Sequence, residues 1–99
     1  MTDLTQLAED SFTSVFRRYP NSSSDDGIQK IYEEVHELED AFLKEGSDRH
    51  HLSPHCPELT AVEEELADVI LSCLVFARCE NIDIEKALRI KNEFNKTRL

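Results

Sequence analysis

The sequence predicts an all-α protein, a four-helix-type bundle completed by oligomerisation. Three observations carry that expectation. Apolar residues recur at helical spacing in four separate segments. Only two Gly and three Pro occur in 99 residues, too few for the tight turns of an all-β fold. One segment, "VILSCLVFA" from Val69 to Ala77, is apolar nearly all round, the pattern of a helix buried on most sides. A chain this short is one domain, residues 1–99, and buries only a modest share of its surface. Full burial of that segment therefore calls for a second subunit.

The first helix is expected from about Asp3 to Tyr19. Leu4, Leu7, Phe12, Val15, Phe16 and Tyr19 form its stripe, Asp3 is its N-cap, and Pro20 ends it. The stripe reads as core, although Phe12, Phe16 and Tyr19 could also stack a base. "NSSSDDG" is a turn cluster. The second helix runs from about Ile28 to Lys44, with Ile28, Ile31, Val35, Leu38 and Phe42 as its core stripe and Gly46 beyond its C-terminus. "SDRHHLSPHCPE" is a loop broken by prolines. Thr60 and Glu63 form a capping box for the third helix, Ala61 to about Cys79. Asp83 caps a fourth, Ile84 to about Lys96, whose buried stripe is Ile84, Ala87 and Leu88.

Composition excludes several functions. The net charge is −10. Nucleic-acid binders draw affinity from a basic stripe that neutralises phosphates, and none is present outside the short segment from Lys86 to Arg98. The longest nearly apolar run is far shorter than the roughly 20 residues a bilayer requires. The start, MTDLTQLAED, is acidic and polar where a signal peptide is basic. Cys56, Cys73 and Cys79 are an odd number without framework spacing. A cytoplasmic setting is therefore expected. Cys73 and Cys79 read as buried thiols of the third helix.

The acidic stretch "YEEVHELEDAF" allows two readings: a solvated face or a metal site. Glu34 and Glu37 are neighbours on one side of the second helix, bordering its core stripe. Glu65 and Asp68 are likewise three apart on the third helix, and their line continues into Ser72 and Val75. A solvated face would stay polar, whereas this one runs into the apolar half. Carboxylates bordering a core repel one another and lose hydration, and a divalent cation relieves both costs. Mg²⁺ favours oxygen ligands and leaves positions for water and phosphates. On the fourth helix the buried line continues into Lys91, Asn95 and Arg98, beside Phe94. These are either a frayed, dipole-favoured turn or cations directed at the carboxylates, an arrangement suited to a polyphosphate.

"EEVHEL", "EEELADVILSCLVFA" and "KALRIKNEFNKTRL", in that order, resemble the MazG-like all-α nucleoside triphosphate pyrophosphohydrolases. The resemblance covers about Ile28 to Leu99. It implies that Glu34, Glu37, Glu65 and Asp68 ligate magnesium, with Mn²⁺ a possible substitute, and that Lys91, Asn95 and Arg98 contact the nucleotide. It implies hydrolysis between the α- and β-phosphates, one of Glu34 or Glu37 taking the proton of the attacking water. It also implies homodimers or homotetramers and, for a small stand-alone member, removal of unwanted deoxynucleotides. Phosphoribosyl-ATP pyrophosphohydrolase shares the carboxylate logic, but a His is missing from "LADVILSC". Glu33 and His36 make one E-x-x-H, where a ferritin-like di-metal bundle needs two. His50, His51, His55 and Cys56 match no standard zinc spacing. The alternative from another class is a non-catalytic dimeric helical interaction module.

Overall fold

The computed structural model describes residues 3–45 and 52–98. Four helices follow one another: α1 (Leu4–Arg18), α2 (Ser24–Glu45), α3 (Ala61–Cys79) and α4 (Ile84–Lys96). The all-α expectation holds. Among the described residues the only strand-like pairing is an isolated antiparallel bridge between Leu52 and Thr60.

Caps set the helix limits. The Asp3 carboxylate accepts the Gln6 amide at 2.7 Å and starts α1, and Tyr19, forced out of the helical region before Pro20, closes it. Thr60 and Glu63 form the expected capping box of α3. Asp83 accepts from the Lys86 amide at 3.1 Å and caps α4. Between α3 and α4, Asn81 adopts φ 58°, the Ile82 amide reaches the Ala77 carbonyl at 2.8 Å, and the Asn81 amide that of Arg78 at 3.2 Å. Asn is one of the few side chains that accept this left-handed turn.

Helix α2 corrects the expected start at Ile28. It begins four residues earlier, inside the turn cluster. Ser23 Oγ accepts the Asp26 amide at 3.3 Å and Asp26 accepts the Ser23 amide at 2.9 Å, a reciprocal cap that turns "SSDDG" helical. Gly27 then lies inside the helix, where an added Cβ would stand 3.4 Å from the Phe76 ring, so α2 and α3 approach closely there. The position expected to follow α2, Gly46, lies outside the described residues.

Helix α3 is the centre. It packs along α2 and against α1, and α4 leans mainly on α1. The core holds Ala8, Leu74, Val75 and Ala77. Arg78 clamps α1 to α3: its Nε lies 2.7 Å from both oxygens of Glu9, and its guanidinium sits 4.4 Å above the Phe12 ring.

Much apolar surface stays open in the single chain. Of the expected α2 stripe, Ile31 and Leu38 do face inward, on a line with Gly27 and Glu34, whereas Ile28, Val35 and Phe42 lie more exposed. Val35 is 46% exposed while Glu34 is 6% exposed. On α3, Leu66, Ile70 and Cys73 share an outer line, and Ile70 is 50% exposed. Cys73 is therefore an exposed thiol, not a buried one, and Cys79 is half-buried. The expected buried stripe of α4 is also uncovered: Ala87 and Leu88 are exposed, and no α4 residue is buried. The radius of gyration is 15.3 Å, against about 13 Å for a compact domain of this size. Packing one helix against neighbours on two sides leaves its third side bare. Among the described residues no helix is long and apolar enough to cross a membrane.

Candidate metal centre

The packing of α2 on α3 brings carboxylates from both helices face to face. Residues three or four apart share a helix face. Glu34 and Glu37 therefore project together from α2, and Glu64, Glu65 and Asp68 from α3. One oxygen from each of Glu34, Glu37 and Glu65 lies within 4.8 Å of the others, and the same holds for Glu64, Glu65 and Asp68. Glu65 belongs to both groups, so the five carboxylates form one continuous cluster. The four acids expected from the sequence are all in it. Glu64 was missed, although it stands four residues before Asp68 and so on the same side of α3.

The cluster is under-compensated. Glu34 Oε1 accepts from Lys30 Nζ at 2.9 Å, one helical turn away. Glu34 Oε2 and Glu65 Oε2 are buried and have no hydrogen-bond partner. A buried carboxylate oxygen without a partner is expensive, and neighbouring like charges add to the cost. The acidities register this. Burial first, then the charges of Glu37 and Asp68, pushes the Glu65 carboxyl up to about 6. Lost hydration followed by the Glu34 charge raises Glu37. Burial and Glu34 raise Asp68. Lys30 is raised by its bond to Glu34.

A divalent cation fits this arrangement. The two orphaned oxygens supply ligand positions that no protein donor fills, and every donor in both groups is a carboxylate oxygen. Oxygen-only sites suit hard cations such as Mg²⁺ or Mn²⁺ over zinc. Among the described residues no comparable group includes His36, His55 or Cys56; His50 and His51 lie outside them.

A cleft of about 540 Å³ opens beside the cluster between α1, α2 and α3. Glu34 and Asp68 line it, with Lys30 and Arg18 as its cations and Phe16 and Tyr19 on the α1 side. No residue of α4 lines it. Lys91, Asn95 and Arg98 are exposed, and the two cations rest over the Phe94 ring, at 4.7 Å for Lys91 and 5.9 Å for Arg98. One chain does not bring these three residues to its own carboxylates.

A family model for the MazG nucleotide pyrophosphohydrolase domain matches residues 23–98. The chain belongs to that family. The MazG match opens at Ser23, the residue that caps α2, and takes in all five clustered carboxylates together with α4. Helix α1, which walls the cleft, precedes it. No curated protein and no solved structure matches the chain.

Proposed function

We propose that this MazG domain is a divalent-metal-dependent nucleoside triphosphate pyrophosphohydrolase that cleaves a (deoxy)nucleoside triphosphate to the monophosphate and pyrophosphate. The observation that carries the proposal is the pair of buried, unpartnered oxygens on Glu34 and Glu65, contributed by two facing helices of a nucleotide pyrophosphohydrolase family.

Glu34, Glu37, Glu65 and Asp68 would hold Mg²⁺, for which Mn²⁺ could substitute. When bound, such a cation would neutralise phosphate charge and make water a better nucleophile. Water adds to the α-phosphorus, the bond from that phosphorus to the oxygen bridging the α- and β-phosphates breaks, and the electron pair leaves with pyrophosphate. The water proton goes to Glu37. That residue is open to solvent, and lost hydration with the Glu34 charge raises its pKa, which favours it as a proton acceptor, whereas Glu34 is buried and held by Lys30. Lys30 faces the cleft beside these carboxylates and meets the phosphate chain. The nucleoside lies in the cleft, whose volume suits a small-molecule ligand.

Lys91, Asn95 and Arg98 complete the site from another copy of the chain. Lys91 and Arg98 bind phosphate oxygens, and Asn95 hydrogen-bonds phosphate, sugar or base. The uncovered lines of α2, α3 and α4 give such a homodimer or homotetramer its contact surface. The role is nucleotide-pool house-cleaning in the cytoplasm.

A panel of standard and modified nucleoside triphosphates with Mg²⁺ tests the proposal by pyrophosphate release. Turnover of at least one, abolished in Glu65→Ala and by chelation, is expected. No turnover across the panel, or turnover indifferent to Glu65→Ala, refutes it.

A further inference from the structure

We infer that Ser53 is a positioning residue for the metal centre, fixing Glu64 as one of its ligands through the connection that leads into α3. The inference rests on the metal reading above. It concerns the proline-broken loop that precedes α3.

Ser53 is 2% exposed. Its Oγ donates to Glu64 Oε1 at 2.8 Å and accepts the amides of His55 and Cys56, each at 3.1 Å. A hydroxyl has one proton and two lone pairs. Here all three are committed, so the proton has no alternative direction. The carboxylate can only accept, which fixes the donor as Ser53. The backbone holds the serine from the other side: its amide donates to the Leu59 carbonyl at 2.9 Å, and the Leu59 amide returns to Cys56 at 2.9 Å. The turn is thereby closed before Thr60 opens α3 with its capping box. His55 Nδ1 stands 3.5 Å from the same Glu64 oxygen, on the solvent side.

The consequence falls on the cluster. A glutamate has three rotatable bonds, and an ion must otherwise immobilise them at an entropic cost. With Oε1 held, the Glu64 carboxylate is already oriented within the group it forms with Glu65 and Asp68. The hydrogen bond also draws charge away from Glu64, easing its place beside two other acids. A group that orients a metal-binding carboxylate in this way is typically worth about 10- to 100-fold in metal affinity.

Mn²⁺ titration of the full chain, read from the loss of the free-ion electron paramagnetic resonance signal, tests this without any substrate. Ser53→Ala is expected to weaken Mn²⁺ binding by about tenfold or more. Glu64→Gln is expected to weaken it as well, and Ser53→Ala combined with Glu64→Gln to bind no more weakly than Glu64→Gln alone, because the serine acts through that carboxylate. A merely structural role for Ser53 would give additive losses instead. Additive losses, or unchanged binding in Ser53→Ala, overturn the inference while leaving the metal reading intact. Unchanged binding in Glu64→Gln overturns it even where Ser53→Ala does not fold. Absence of Mn²⁺ binding by the wild-type chain removes the metal reading and this inference together.

Discussion

Replacing Glu65 by Gln should change the sign of its effect on stability according to whether metal is present. Without metal, Glu65 keeps one oxygen buried and unpartnered among the charges of Glu37, Asp68 and Glu64, and its carboxyl is pushed from 4.5 up to about 6. A displacement of that size corresponds to about 2 kcal/mol. The carboxylate is partly open to water, which screens it, so roughly 1 kcal/mol is the expected share in stability. The folded chain holds its proton to a higher pH than the unfolded chain does. Stability from this group is therefore complete below pH 4.5 and lost as pH rises through about 6. Near neutral pH with chelator, Glu65→Gln should be more stable by about 1 kcal/mol, or roughly 4–8 °C in Tm. Below pH 4.5 the advantage should vanish. With saturating Mg²⁺ the order should reverse, because the wild type gains binding free energy and the variant has lost a shared ligand. Urea and thermal unfolding across pH, with chelator and with Mg²⁺, measure all three outcomes. A variant that is no more stable in chelator, or equally favoured with Mg²⁺, refutes the reasoning.

Two other perturbations address the neighbouring features. Lys30→Met removes an ammonium 2.9 Å from Glu34 that competes with any cation for that oxygen. Since the ammonium itself is more than half exposed, Mn²⁺ affinity should rise only roughly two- to fivefold while triphosphate affinity falls, as calorimetric titration of each would record. Ile70→Glu puts a charge on the uncovered line of α3. Light scattering should show a smaller particle that retains Mn²⁺ binding but has lost turnover; an unchanged mass would place the subunit contact elsewhere.

The local signals were legible in the sequence because they depend on neighbours within one turn. Asp3, Thr60 with Glu63, and Asp83 cap helices wherever the chain folds, and three of the four starts follow from them. The fourth was hidden by composition. Serines and aspartates before Gly27 read as a turn, yet Ser23 and Asp26 bond reciprocally and begin α2 there. Helical arithmetic also paired Glu34 with Glu37 and Glu65 with Asp68, since spacing of three puts side chains on one face whatever that face meets.

Tertiary structure decided which faces meet. Amphipathicity made Ile28, Ile31, Val35, Leu38 and Phe42 the obvious core line of α2, but packing on α3 kept only Ile31 and Leu38 inward, turned Glu34 in beside them and left Val35 exposed. That rotation creates the cluster: a buried carboxylate acquires significance only from what stands opposite it. Helical spacing puts Glu64 beside Asp68, but its hydrogen bond from Ser53, eleven residues away, is a contact that no periodicity in the sequence encodes. The cations of α4 illustrate the same limit. Their alignment with Ile84 and Leu88 is a property of one helix, whereas their distance from the carboxylates is a property of how helices assemble. Sequence by itself determined the helices and the chemical character of each face. Only the packing of α2 against α3 determined that five acids share one place, because burial and repulsion arise between elements, not within them.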